Sequence, residues 1–330
     1  MQRDHLGSAA GRALRLTFAL VVAGLCVTAA ASAAAKPKCV GAAARDAKNP
    51  CFNPTRSVTP SLKKADDVTA SPCKLTDEQP EPVCTFGAAR SRASRQIALV
   101  GDSHALQWRS ALDFVAKRQG WHGYSLTIPG CPFSDARRYL PEDFRAFCEP
   151  WYRGVQKWFR RHPEVTTMYT SQYAPLELEI PAGKTELEIK SAGFRRAWGA
   201  LPKTVKRVIA IHDTPKTTET TAACLRDAIA AGTQRPGIAC KVARRDAVLK
   251  DATVAAARQP RSRRYAFVDL TSFFCGRAYC YPVIGGVLVY RDHVGHITIA
   301  YAESLAPYLL RRLRFLGEVR RRGARTARAR

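Results

Sequence analysis

Three residue types in this chain could together open and remake an ester bond. Ser103 follows the apolar run Ile97-Ala98-Leu99-Val100 and the pair Gly101-Asp102. A serine alone is a poor nucleophile and needs a base. Candidates lie far downstream in Tyr290-Arg291-Asp292-His293-Val294-Gly295-His296-Ile297-Thr298. The expected chemistry is attack by Ser103 on an acyl carbonyl, with His296 taking and returning the proton and Asp292 orienting the imidazole. His293 is the rival base. His296 is preferred because the apolar Ile297 and then Thr298 follow it, and Thr298 suits the N-cap of the last helix. His104 is next to Ser103 and, on a helix, would point to another face, so a structural hydrogen bond is its expected role.

The elements that must position these residues follow from periodicity. Ile97 to Val100 has the length and composition of a buried parallel strand, and Ala105, Leu106, Trp108, Ala111, Leu112 and Val115 recur at helical spacing. Ser103 therefore sits at a strand-to-helix turn, where free backbone N–H groups favour developing negative charge. Serine, aspartate and histidine in that chain order suit the C-terminal edge of an α/β sheet. A helix is expected over 104–118, a strand near 122–128, a turn at Pro129-Gly130-Cys131-Pro132, and a helix near 149–161. A strand at 166–171, a helix at 188–200, a strand at 207–211, a helix at 241–257, a strand at 265–270 and a terminal helix complete the pattern. Such alternation argues for a parallel sheet covered by helices on both faces, with ligands beyond the carboxyl ends of the strands. The tryptophans at 108, 121, 151 and 158 are read as core.

Bulk properties point outside the cytoplasm. Arg3, Arg12 and Arg15 precede an apolar stretch from Leu16 to Val27 and the small-x-small site Ala31-Ser32-Ala33. This reads as a secretory signal over 1–33, with an uncleaved anchor over Leu16 to Ala35 as the alternative. Leu25 before Cys26 argues against lipidation. Of 11 cysteines, ten lie beyond the signal: Cys39, Cys51, Cys73, Cys84, Cys131, Cys148, Cys224, Cys240, Cys275 and Cys280. An even number in an exported chain points to disulfides, and no C-x-x-C pair supports metal ligation. Their connectivity does not follow from counting.

Formal charge is +26, and Arg311 to Arg330 holds nine arginines against Glu318 alone. A basic disordered tail over 317–330 would favour anionic envelope polymers or lipid headgroups, and a merely arginine-rich tail without a partner is the alternative. Nucleic acid is not expected, because no base-reading motif accompanies the charge. Residues 34–95, rich in Pro, Ala and Lys, read as a loop-rich extension held by its four cysteines, before a main domain over 96–316. Ala42 to Ala47 suits one short helical turn.

Gly101-Asp102-Ser103-His104 with Ala105 and Trp108, Cys131-Pro132-Phe133, Asp213-Thr214-Pro215, Cys280-Tyr281-Pro282-Val283-Ile284-Gly285, and Tyr290-Arg291-Asp292 with His296 and Thr298 resemble the SGNH hydrolase superfamily. More narrowly, they resemble the extracytoplasmic SGNH domains associated with bacterial membrane acyltransferases of family 3. The resemblance covers about residues 39–312. It implies a three-layer sandwich on a central parallel sheet, flavodoxin-like in arrangement, with no cofactor and no metal. It also suggests adjacent cysteine pairing: 39–51, 73–84, 131–148, 224–240 and 275–280. Asp213 with Pro215 is a candidate for lining the cleft.

Two departures stand out. The family's acid and histidine are usually three residues apart, and here Asp292 and His296 are four apart. The superfamily's oxyanion hole usually combines a backbone N–H at the serine, one from a glycine and an asparagine amide, yet no asparagine follows Asn53. Ser103, Gly130 and Gln172, at the end of the 166–171 strand, are the expected donors. The implied function is O-acyl transfer, of acetyl or another short acyl group, onto hydroxyls of an exported cell-envelope glycan, with a membrane acyltransferase as donor partner. An esterase on the same polymers and an inactive glycan-binding module are the alternatives.

Overall fold

The computed structural model describes residues 39–319, apart from 50, 52–56, 68–72, 81, 137–141, 176–177, 179 and 259–261. The signal or anchor at 1–33 and positions 320–330 of the basic tail lie outside the described residues. The strands are β1 (Lys74–Thr76), β2 (Val83–Gly87), β3 (Arg95–Gly101), β4 (Trp121–Thr127), β5 (Val165–Ser171), β6 (Arg207–Ile211), β7 (Val242–Ala243), β8 (Tyr265–Val268), β9 (Tyr279–Cys280), β10 (Val283–Ile284) and β11 (Val287–Leu288). The helices are α1 (Leu62–Asp67), α2 (Ser103–Leu106), α3 (Arg109–Gln119), α4 (Glu142–Arg161), α5 (Glu186–Gly199), α6 (Thr221–Ala230), α7 (Pro236–Ala239), α8 (Arg244–Ala247), α9 (Ala252–Arg258), α10 (Thr271–Phe274) and α11 (Ile299–Phe315).

Seven strands form one sheet in the order β1-β2-β4-β3-β5-β6-β8. From β4 to β8 the strands are parallel, whereas β2 runs antiparallel to β4 and β1 antiparallel to β2. Apolar residues of β3 divide between the two faces. Ile97 and Leu99 pack with Trp108, Leu112, Leu305 and Leu309 from α3, α11 and the turn before α3. Ala98 and Val100 pack with Trp151, Trp158, Phe194 and Ala256 from α4, α5 and α9. A strand buried on both sides reads as an unbroken apolar run for this reason. The result is a three-layer α/β sandwich.

Several elements differ from the sequence-based expectation. The helix expected over 104–118 is two pieces, α2 and α3, joined through Gln107 and Trp108. The helix expected over 241–257 begins instead as β7, which pairs with β9, continues as α8, and restarts as α9. Asp251 causes the restart, accepting from the N–H groups of Thr253 and Val254 at the head of α9. Within residues 34–95, β1 and β2 join the sheet edge, and Val83 and Phe86 are buried, so this stretch shares the main core as well as carrying disulfides. Cysteines 39–51, 73–84, 131–148, 224–240 and 275–280 are bonded. Among the described residues no helix is long and apolar enough to cross a membrane.

An ion pair fastens the start of the described chain to α11. Both Arg311 Nη atoms reach Asp46, at 3.0 and 3.2 Å, and hydrogen bonding to Arg311 holds the Asp46 carboxyl down to about 2. A carboxyl lowered in the fold contributes stability above its unfolded pKa of about 3.9, and that contribution is lost as pH falls through the folded value. Asp46→Asn is therefore expected to melt below the parent at neutral pH, with the gap closing as pH approaches about 2. A gap that stays constant across that range in thermal melts would remove the ion pair as its cause.

Candidate active site

Ser103 stands where the chain reverses its direction of travel across the sheet. From β3 it passes first to β4 on one side and later to β5 on the other, so the end of β3 is the switch point where open α/β sheets form their clefts. Gly101 ends β3 at φ +145°, and a Cβ there would lie 2.6 Å from the Ser171 carbonyl and 2.8 Å from Ala105 Cβ. Only glycine lets β3 lie this close to β5 and turn into α2. Asp102 then caps α2, its Oδ1 accepting from His104 N at 2.9 Å, while Oδ2 accepts from Tyr173 N at 2.9 Å across the cleft floor. As the first residue of α2, Ser103 has no intrahelical acceptor for its N–H.

The 290s loop delivers the candidate base, His296. Tyr290 bridges Ile297 in antiparallel fashion, and Arg291 N donates to the His296 carbonyl at 2.9 Å, closing a tight turn over 292–295. Gly295 adopts φ +99° against the Pro215 carbonyl, which accommodates the four-residue spacing. His296 Nε2 lies 2.8 Å from Ser103 Oγ, and its Nδ1 lies 2.6 Å from Asp292 Oδ2. The His296 backbone N–H also donates to Asp292 Oδ1, at 3.0 Å. Burial works to raise the Asp292 carboxyl. Hydrogen bonds from His296 and the nearby Arg291 outweigh it and hold the carboxyl below its ordinary range. His293, by contrast, is exposed.

Thr298 caps α11 by accepting from Tyr301 N at 3.1 Å and donates to the Leu288 carbonyl at 2.6 Å, anchoring the loop's exit. Two further braces had weaker signals. Gln107, one turn beyond Ser103, accepts from Ile297 N at 2.8 Å and donates to Thr214 Oγ1 at 3.2 Å. Thr214 Oγ1 donates to the Gly295 carbonyl at 2.6 Å. Their i+4 spacing from Ser103 and place beside Asp213 were the only marks in sequence.

The expected oxyanion donors share this sheet edge. Ile128-Pro129-Gly130-Cys131 is a tight turn after β4, with Cys131 N donating to the Ile128 carbonyl at 3.1 Å and Gly130 at φ +79°. This suits a type II turn, with Pro and Gly at its centre. Ile128 N in turn donates to the Gly101 carbonyl at 3.1 Å. Gln172 directly follows β5. Its side chain is fully buried, and neither amide atom has a hydrogen-bond partner among the described residues. The described residues hold no cluster of three or more His, Cys, Asp or Glu side chains fit for a metal ion.

Residues 72–311 match a family model described as the SGNH domain fused to AT3 domains. No curated protein matches the chain. Among solved structures it is similar to the periplasmic domain of a lipopolysaccharide acetyltransferase from Salmonella ser. Paratyphi A. The two are 11% identical, with a TM-score of 0.48, over 67% of this chain and 84% of that one. The matched span includes Ser103, Gly130, Gln172, Asp292 and His296, and the chain belongs to the family of SGNH domains fused to AT3 domains.

Proposed function

We propose that the protein is a serine O-acyltransferase that carries a short acyl group on Ser103 to hydroxyls of an exported cell-envelope glycan. The observation that carries this reading is the unbroken hydrogen-bonded line from Ser103 Oγ through His296 to Asp292, at 2.8 and 2.6 Å. His296 Nε2 takes the serine proton as Oγ attacks the acyl carbonyl, and returns it to the oxygen that leaves. The acceptor hydroxyl then loses its proton to His296 and attacks the acyl-serine, and His296 passes that proton to Ser103 Oγ as the acyl–oxygen bond breaks. Asp292 steadies the imidazolium in both halves. Five disulfides fit an oxidising, extracytoplasmic setting, and the family's association with AT3 domains supports a membrane acyltransferase as donor.

An activated aryl acetate assayed with and without envelope glycan tests the reading. Acetyl recovered on the polymer supports transfer, whereas free acetate alone assigns the site to hydrolysis. A protein that binds glycan but turns over neither would be a binding module.

Ser103, Gly130 and Gln172 are proposed to hold the oxyanion. A buried amide without a partner costs about 1–3 kcal/mol in the resting protein, and a partner arriving with the reaction would explain why it is kept. Gln172→Met, similar in volume, is therefore expected to melt higher than the parent while turning over about 100-fold more slowly. A raised melting temperature with unchanged turnover would leave the hole to backbone groups.

A further inference from the structure

The acyl-transfer reading leaves two buried histidines unused, His122, whose ring meets the Ala88 carbonyl, and His104. His104, next to the nucleophile, is 1% exposed, and its Nδ1 lies 2.6 Å from Asp213 Oδ1. Asp213 is itself held on every side. Its Oδ1 also accepts from Thr214 N at 2.8 Å, its Oδ2 accepts from Ala174 N at 2.9 Å, and its own N–H donates to Asp251 Oδ2 at 2.7 Å. The other ring nitrogen of His104, Nε2, is enclosed with no hydrogen-bond partner among the described residues. Its ring packs against that of His296, with centroids 4.5 Å apart and planes tilted by 46°, and against Tyr173 at 4.9 Å. A second histidine–aspartate couple thus stands directly beside the one that serves Ser103.

We propose that His104 is a positioning residue for His296, a cation fixed by Asp213 that braces the neighbouring ring and favours its neutral, proton-accepting form. The proposal rests on the acyl-transfer reading of Ser103, His296 and Asp292. His104 faces Asp213 from the end of β6, Asp102 on its own turn, Asp292 and His296 from the 290s loop, and Tyr173 from the end of β5, with Asp251 behind Asp213. Burial opposes a charge on its ring. The Asp213 carboxylate, by proximity and by hydrogen bond, followed by Asp102 and Asp292, outweighs that cost and raises His104 above the ordinary imidazole value. Burial also pushes Asp102 up, with charged His104 as its main counterweight.

The consequence for His296 is one of like charges at short range. Two cations about 5 Å apart repel strongly in a medium less polarisable than water. His296 faces Asp292 at Nδ1, Ser103 at Nε2 and His104 across its ring, with Arg291 3.7 Å from Asp292 Oδ2. A fixed charge on His104 opposes a second charge on His296 whatever the source of the proton, and Asp292, on the opposite nitrogen, offsets that cost when Ser103 gives up its proton.

The test is the pH dependence of kcat/KM on an activated aryl acetate for the parent, His104→Gln and Asp213→Asn, with Ser103→Ala as the reference. His104→Gln removes the charge, and Asp213→Asn keeps the ring but takes away the carboxylate that holds its proton. Both are expected to move the acid limb upward by about one pH unit. In His104→Gln the titration of the His296 ring, followed by 15N NMR, should move the same way without reference to turnover. Folded variants whose rates fall equally at every pH, with no movement of the limb, would reduce His104 to a structural residue and overturn the proposal. Should the variants not fold, 15N NMR of the unaltered protein decides. His104 is expected to hold its proton at about pH 7, and a neutral ring there overturns the proposal. Ser103→Ala with undiminished turnover would instead strike down the acyl-transfer reading, while the NMR titrations would still report on His104.

Discussion

Ser103→Ala is expected to lower turnover of an activated acyl ester by about ten-thousandfold or more while leaving the melting temperature within a few degrees of the parent. The size of the loss follows from the covalent step, since without Oγ no acyl-enzyme forms and only binding and the oxyanion donors remain to assist water. The small structural effect follows from where the side chain sits. Ser103 is only partly buried, its hydroxyl meets His296 at 2.8 Å, and the turn that presents it is held by Gly101 and by the two carboxylate oxygens of Asp102. Residual activity within about tenfold of the parent would remove Ser103 as nucleophile, because losing a true nucleophile costs several orders of magnitude. A collapse of the fold would instead show that the hydroxyl carries structural weight that its single bond to His296 does not suggest.

The parts of this site that could be read in the sequence are those whose signals are local. An apolar run ending in Gly101-Asp102-Ser103 states a strand, a tight turn and a helix start within a few residues. The 290s loop announces itself through Asp292 and His296 ahead of the terminal helix and through Thr298, which caps α11. The braces were not legible because their partners are distant in sequence. His104 and Asp213 lie 109 residues apart, and Gln107 and Ile297 lie 190 apart. Only the strand order, with β3 beside β5 and β5 beside β6, brings their ends together.

Secondary structure departs from local pattern where distant contacts override it. Apolar residues recur over 241–257, yet pairing of β7 with β9 and capping by Asp251 break the helix, and both depend on tertiary context. β1 and β2 are three and five residues long, too short to stand out from a Pro-rich stretch by pattern alone. Their buried Val83 and Phe86 count only once β4 is alongside.

His296→Ala is expected to match Ser103→Ala in its loss of turnover, and the double variant Ser103→Ala, His296→Ala to lose little more than either alone. Non-additivity is the mark of residues that act as one unit: once the proton acceptor is gone the hydroxyl attacks slowly, and once the hydroxyl is gone the base has nothing to serve. Asp292→Asn should cost less than either, because the imidazole keeps Ser103 within reach and loses only its orienting and charge-balancing partner at 2.6 Å. His293 provides the internal control. It stands between Asp292 and His296 in sequence, but its side chain is exposed and its carbonyl, not its ring, is tied down, accepting from Thr217 N at 3.0 Å. His293→Ala is therefore expected to stay within about twofold of the parent, a change typical of an exposed residue outside the reacting unit. If His293→Ala proved the more damaging change, the working loop would be shifted in register from the one described, with its base three positions earlier. If the double variant fell far below both single variants, Ser103 and His296 would be acting on separate steps and not as one proton-transfer pair.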